Sequence, residues 1–311
     1  MPKKSFAALC GREDLKKVDL FELVQIKKEL YPELNLDEIC KVYGVTRQGF
    51  WKWQKSKNKR DIFEEGIRDY ILEIQTKHHF NYGAKRVTKA IRDDYALIVN
   101  HKYVAKIMKK YGLNSVMKNK KYHKPGPAMK DFTNLKRNFQ ADTPYDKLVQ
   151  DITEVKFKKQ KAYINIIKDL CTKKIVAYNI SVSPTVEFVL DTVKQIETNT
   201  IKYGTYLHTD QGFQYTHQDY LEYIKSKNFI PSFSRRGTPI DNACIESFNS
   251  ILKRELINNP YYKFENMNEL IQEIEKFIDY YNSERIQAGL EYLTPNEYEE
   301  KYQREFTRIA A

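Results

Sequence analysis

Nowhere in these 311 residues does an apolar run approach the ~20 positions that a helix needs to cross a bilayer. Residues 1–11 also lack the long apolar stretch of a secretory signal. Both absences set the expectation of a cytoplasmic protein with no membrane partner. Cysteine is scarce. Cys10, Cys40, Cys171 and Cys244 stand far apart, at no spacing that binds zinc, and read as reduced thiols in or near cores. No tandem repeat and no obvious heptad stretch is present. Acidic residues are sparse where basic ones crowd: residues 101–140 hold 11 Lys and Arg against one acid.

What is present is a chain long enough for two or three domains. It is 41% apolar and 13% aromatic, which excludes a disordered or fibrous protein. The net charge of +12 is unevenly placed: residues 1–140 carry 31 Lys and Arg against 16 Asp and Glu, whereas residues 141–311 carry 22 against 25. A solubilising surface would account for such a basic front. A single-signed block beside helical patterns more often meets phosphates.

Residues 1–60 read as a helix-turn-helix. Leu36, Ile39, Val42 and Tyr43 recur at helical spacing after Asn35, Gly44 breaks the helix, and Thr46 can cap a second one through Phe50 and Trp53. Arg47, Gln48 and Lys52 would then face outward at the start of a recognition helix. The plainer alternative is a helical hairpin with Trp51 and Trp53 as core. Residues 61–115 form a second helical segment, in which Lys102 and Lys106, with Lys109 and Lys110, line the exposed side of a basic helix ended by Gly112; a solvated face would look the same. Residues 116–142, rich in Lys and containing Pro125-Gly-Pro127, read as a basic linker.

From Lys147 the pattern changes to strands, predicted over 148–153, 162–169 and 175–181. A helix over 186–198, a strand over 206–209, a helix over 218–227, a strand over 230–233 and a long helix over 241–256 follow. Three strands and then alternating helices and strands is the order of a ribonuclease-H-like α/β fold. Residues 143–302 are expected to form this core, with an amphipathic helix over 266–301 covering the sheet.

Three acids stand out. Asp151 lies among Leu148, Val149 and Ile152, where a buried unpaired carboxylate is costly. Asp210 ends the fourth strand before Gln211-Gly212, and Glu246 is one turn into the long helix. Alone, each would more often be a cap or a surface acid. Together they could hold two Mg²⁺ (or Mn²⁺) ions about 4 Å apart, which neutralise the attacking and leaving oxygens of a phosphodiester. Asp151 and Asp210 enclose 58 residues, Asp210 and Glu246 enclose 35, and Lys253 follows Glu246 by seven.

These spacings, with Asn138-Phe-Gln-Ala-Asp-Thr-Pro144, Asp151-Ile-Thr153, His208-Thr-Asp-Gln-Gly212, Ser234-Arg-Arg-Gly237, Asp241-Asn-Ala243, Glu246-Ser-Phe248 and Tyr281-Asn-Ser-Glu-Arg285, closely resemble the second-reading-frame transposase of the two-frame IS-three-type insertion sequences, in the retroviral-integrase-like superfamily. The resemblance implies an integrase catalytic core in which Asp151, Asp210 and Glu246 are both catalytic and metal-binding. It implies cleavage of donor DNA and transfer of the freed 3′-OH to target DNA. The partners it implies are the element's terminal repeats, target DNA, further copies of the chain on DNA, and a first-frame product. The place it implies is the bacterial nucleoid.

His208 and Asn242 are candidates for positioning phosphate, His208 equally for a core-edge imidazole. Arg235, Arg236 and Lys253 are candidates for neutralising DNA phosphates. Asp241 reads as a helix cap, and Tyr280, Asn282 and Arg285 as contacts to DNA or a partner. Family members usually carry Trp where Leu148 stands and often His where Gln287 stands. A retroviral-type His-His-Cys-Cys zinc module is absent. A non-catalytic DNA-binding descendant of a transposase, and a nuclease of the same fold, are the competing readings.

Overall fold

The structure is a computed structural model that describes residues 16–116, 135, 138–196, 204–234 and 243–310. Most of the expected basic linker, and with it Arg235, Arg236, Asp241 and Asn242, lies outside the described residues. The chain divides into two compact units. One comprises residues up to His78 with Ala90–Asn114, the other His79–Lys89 with the residues from Ser115 onward.

In the first unit, helices α1 (Lys17–Leu30), α2 (Leu36–Tyr43) and α3 (Arg47–Lys77) pack around Phe21, Val24, Ile39, Cys40, Val45, Phe50 and Trp53. The local signals act as read. The Asn35 side chain accepts from the Asp37 N–H, Gly44 closes α2 at φ 68°, and the Thr46 side chain accepts from the Gly49 N–H. Of the two tryptophans only Trp53 is core; Trp51 is 50% exposed. α3 runs on unbroken for 31 residues, so the expected boundary at residue 60 falls inside it. Helix α4 (Ala84–Tyr95) follows, then α5 (His101–Lys110), which Asn100 caps. α5 lies on α3, where Phe63 stacks on Tyr103 and the Lys110 ammonium bonds Glu64 at 2.5 Å.

The second unit is built on one five-stranded sheet of order β3-β2-β1-β4-β5. Strands β1 (Lys147–Phe157), β2 (Gln160–Asp169) and β3 (Ile175–Ser181) form the antiparallel meander. Strands β4 (Tyr206–Thr209) and β5 (Ile230–Phe233) extend it parallel to β1. Helices α6 (Val186–Lys194), α7 (Phe213–Thr216) and α8 (Gln218–Ser226) cover one face. There Leu148, Ile167 and Leu207 meet Phe188, Val189, Tyr220 and Ile224. Helices α9 (Ala243–Leu252) and α10 (Met267–Ser283) cover the other, where Val149, Ile164 and Ile166 meet Ile245, Phe248, Leu270, Ile274 and Tyr281. This is the ribonuclease-H-like α/β arrangement. Leu148 is wholly buried in the first of these layers, so a packing position is what sets it apart from the family's Trp. Among the described residues no helix is long and apolar enough to cross a membrane.

Three expectations are corrected. The long helix is α-helical only to Leu252 and continues as a π-helical turn, Lys253–Ile257, so Lys253 sits where the helix type changes rather than two α-turns along one face. The covering segment is two helices. α10 stops at Ser283, where Glu284 and Arg285 both donate their backbone N–H to the Tyr280 carbonyl. A short turn with Glu291 and Tyr292 at positive φ then leads into α11 (Pro295–Ala310). Finally, Arg285 is no surface contact. It is buried and grips the buried Glu255 through two bonds, Nε–Oε2 at 2.7 Å and Nη2–Oε1 at 2.6 Å.

Asn282 binds both the N–H and the carbonyl of Ile175, each at 2.9 Å. The Tyr-Asn-x-x-Arg motif therefore fastens α10 to the start of β3 on one side and to the π turn on the other. Removing one partner of a buried, bidentate ion pair strands the other charge, at a cost of roughly 3–5 kcal/mol. Arg285→Ala is expected to lower the urea midpoint of the core accordingly, and Arg285→Ala/Glu255→Ala to recover part of the loss. A single-variant cost below about 1 kcal/mol would show that the pair does not hold the turn.

Candidate active site

The odd residues of β1 face α9. Val149 and Val155 join the apolar cluster of Ile245, Phe248 and Leu252, and Asp151 lies between them in sequence. Its Oδ2 accepts a 2.9 Å bond from Nδ2 of Asn249, on α9. The parallel pairing of β1 with β4 sets Val149 opposite His208. Two residues further along both chains come Asp151 and, just past the end of β4, Asp210. Asp210 is fixed by its own turn, its Oδ1 accepting from the Gly212 N–H at 2.8 Å. A Cβ at Gly212 would stand 2.9 Å from that same oxygen, so only glycine lets the amide come this close.

Burial, then the charge of Asp210, raise the Asp151 pKa to about 7; Glu246 adds to the rise, and the bonds from the Ile152 N–H and Asn249 oppose it. Glu246 itself is exposed on α9, three residues before Asn249. Among the described residues no three His, Cys, Asp or Glu side chains form a ready-made metal cluster. The structure thus brings Asp151 and Asp210 together, and Glu246 reaches Asp151 as a charge.

These residues fit a divalent cation. The donors are hard oxygens, a buried carboxylate lacks a compensating cation, and Oδ1 of Asn249 is buried without a hydrogen-bond partner.

The other candidates fall in different places. His208 is wholly buried, its Nδ1 2.9 Å from the Ser232 hydroxyl and its ring edge-on to Phe139. It ties β4 to β5 inside the sheet. Arg47, Gln48, Lys52, Lys102 and Lys106 are exposed on the first unit, with Arg47 paired to Asp37 at 3.0 Å. Asp169 is buried and accepts bonds from Tyr145, Cys171 and Thr172, so it closes the β2–β3 turn. Asn249 and Gly212 escaped the sequence reading as site residues. The signal for Asn249 was its spacing of three from Glu246, which puts both on one side of a helix.

The family described as "Integrase core domain" matches residues 141–239 and again residues 228–295, and "HTH-like domain" matches residues 63–121. The chain is 32% identical over 275 residues to InsK of insertion sequence element IS150 from Escherichia coli (strain K12), covering 87% of this chain and 94% of that protein. It is 33% identical over 247 residues to the transposase of insertion sequence element IS904 from Lactococcus lactis, covering 78% and 96%. The chain belongs to the IS-three-type insertion-sequence transposases. A solved structure that it resembles is the HTLV-2 integrase catalytic core domain in complex with magnesium, 20% identical, covering 51% of this chain and 99% of that one, at a TM-score of 0.40.

The transposase is accordingly a polynucleotidyl transferase of insertion-sequence transposition, with DNA as its partner through a helix-turn-helix-like domain. Its metal-free core should weaken as pH rises. The folded Asp151 carboxyl keeps its proton up to about 7, whereas an unfolded one releases it near 3.8, so the folded state binds the extra proton and loses that advantage across this window. In wild type the melting temperature is expected to fall between about pH 4 and 7 by more than in Asp151→Asn, and Mg²⁺ at pH 7.5 to restore it only in wild type. Equal pH curves for the two proteins would refute this account of Asp151.

Proposed function

We propose that the transposase cleaves donor DNA and joins the freed 3′-OH to target DNA, with Asp151, Asp210 and Glu246 holding two Mg²⁺ (or Mn²⁺) ions. The observation that carries this reading is the parallel β1–β4 seam, which sets the two aspartates side by side with their charges uncompensated. The ions, when bound, supply the positive charge that offsets the attacking and leaving oxygens of the phosphodiester. Asp151 is the shared ligand, held by Asn249; the Gly212 amide holds Asp210; α9 brings Glu246 from the side. No serine or tyrosine nucleophile is needed, because the DNA hydroxyl itself attacks.

In the same reading the chain is ordered as two helical DNA-binding segments, 1–60 and 61–115, a basic linker over 116–142 and the catalytic core over 143–302. Arg47, Gln48 and Lys52 meet base edges or nearby phosphates, and Lys102 and Lys106 meet phosphates. Arg235, Arg236, Asn242 and Lys253 approach the scissile DNA, and His208 supports the site from within the sheet. The terminal repeats and target DNA are the substrates, bound at the nucleoid of the cytoplasm. Synapsis of two ends calls for more than one copy of the chain, with a first-frame product as a further partner.

A strand-joining assay on the element's terminal DNA with Mg²⁺ tests the chemistry. Wild type is expected to give joined product and Glu246→Gln at least 100-fold less, since a lost ligand to a catalytic ion removes several kcal/mol of transition-state stabilisation, at about 1.4 kcal/mol per tenfold. Equal joining by both would overturn the assignment of Glu246. Cleavage without joining would mark a nuclease.

A further inference from the structure

We infer that the middle of α3 is itself a DNA-backbone contact, a row formed by Lys52, Lys55, Lys59 and Arg60 that takes the phosphates of one strand. The inference rests on DNA being the partner of this transposase and is independent of the catalytic acids.

The row begins with composition. Residues 39–60 contain Lys41, Arg47, Lys52, Lys55, Lys57, Lys59 and Arg60 and no acidic residue. On a helix, positions 52, 55, 56, 59, 60 and 63 return to one side at steps of three and four. The structure places Lys52, Lys55, Ser56, Lys59, Arg60 and Phe63 around one shallow hollow. The four cations are exposed, and among the described residues none of them has an ion-pair partner. Lys57 is different: it points inward, over the Trp53 ring at 5.0 Å and bonded to the Gln25 side-chain oxygen at 3.2 Å.

A merely solvated helix face would look otherwise. Further along the same helix, charges are balanced: Glu64 takes Lys110 and Arg68 takes Asp69. Like charges three and four residues apart destabilise a helix by about 0.2–0.5 kcal/mol per pair, so an uncompensated row is a standing cost that an anionic ligand removes. The dimensions suit a nucleic-acid strand. Lys52 to Arg60 spans about 12 Å at 1.5 Å per residue, three to four steps of the roughly 3.4 Å by which phosphates advance along a duplex strand. The Ser56 hydroxyl adds a neutral donor inside the hollow. The Arg60 Nε bonds the Ser56 carbonyl at 3.3 Å, which steadies the guanidinium along the helix. Phe63 bounds the hollow and is held by its stack on Tyr103, 6.3 Å between centroids.

A polyelectrolyte contact of this kind has a thermodynamic signature. Each phosphate neutralised releases a counterion and contributes about −0.9 to the slope of log K against log salt. The test is fluorescence anisotropy of the full chain with a random-sequence duplex of about 30 base pairs, without divalent ions, between roughly 50 and 300 mM KCl.

Lys55→Ala/Lys59→Ala/Arg60→Ala is expected to flatten the slope by about 2.7 and to weaken binding roughly 10- to 100-fold near 0.1 M salt, three contacts at about 0.9 each. Lys57→Ala is expected to leave the slope unchanged. The preference for terminal over random duplex should stay the same in the triple variant, because backbone contacts carry no sequence information. An unchanged slope would overturn the inference. So would a loss confined to terminal DNA, which would mark base reading instead, or a wild type that does not bind random duplex at 50 mM KCl. Circular dichroism of the triple variant at the wild-type melting temperature guards against an unfolded first unit. No outcome bears on strand joining, which fails or succeeds separately with Glu246→Gln.

Discussion

Two carboxylates pressed together across the parallel β1–β4 seam are the constraint around which the core is arranged. Neighbouring anions at a partly buried place repel, and nothing in the antiparallel meander would put them there. β4 has to return parallel to β1 for Asp210 to come abreast of Asp151, and α6 supplies part of that crossover. Supports then converge on the pair from elements distant in sequence. Asn249 reaches down from α9, the Gly212 amide turns back beneath Asp210, and the buried His208–Ser232 contact keeps β4 against β5. The local geometry is held by hydrogen bonds to backbone and amide groups, which leaves the net negative charge in place for a cation.

A second polar cluster does for α9 and α10 what the first does for the seam. Glu255 and Arg285 would each be costly to bury alone. Arg86 adds a second cation 3.9 Å from Glu255, and Asn81 and Asn259 bind to the same turn through the Glu255 carbonyl. Burial of Arg86 lowers its pKa, and the nearby Arg285 charge adds to the fall. Residues 79–89, which precede the core by over fifty positions, are thereby a structural part of it.

Local signals were legible in the sequence wherever they were strong. Asn35, Gly44 and Thr46 bounded the first helix-turn-helix. The alternating apolar residues around Ile175 and Tyr206 fixed β3 and β4 to the residue. The acids were legible through their spacing and flanking words. Less visible was anything decided by tertiary packing. Arg285 looked like a surface cation because nothing near it in sequence is acidic enough to hide it; its partner is thirty residues away on a turn whose type no propensity announces. Asn249 looked like an ordinary helix residue until α9 was laid over β1. His208 shows the limit from the other side: a histidine beside a candidate acid invites a catalytic role, and its total burial between two strands is invisible to spacing.

The π turn at Lys253–Ile257 has a consequence for how the gene can change. A π turn closes with one more residue than an α turn. Deleting a single codon there would let the helix relax to ordinary winding, yet would swing whatever follows by about 100° relative to what precedes, one residue's share of a 3.6-residue turn. Either Glu246 would leave the seam or Glu255 would leave Arg285. Point substitutions on the turn's outer side alter only what it touches, whereas a change in its length alters angular phase. Evolution of this element is therefore free in spelling and strict in count.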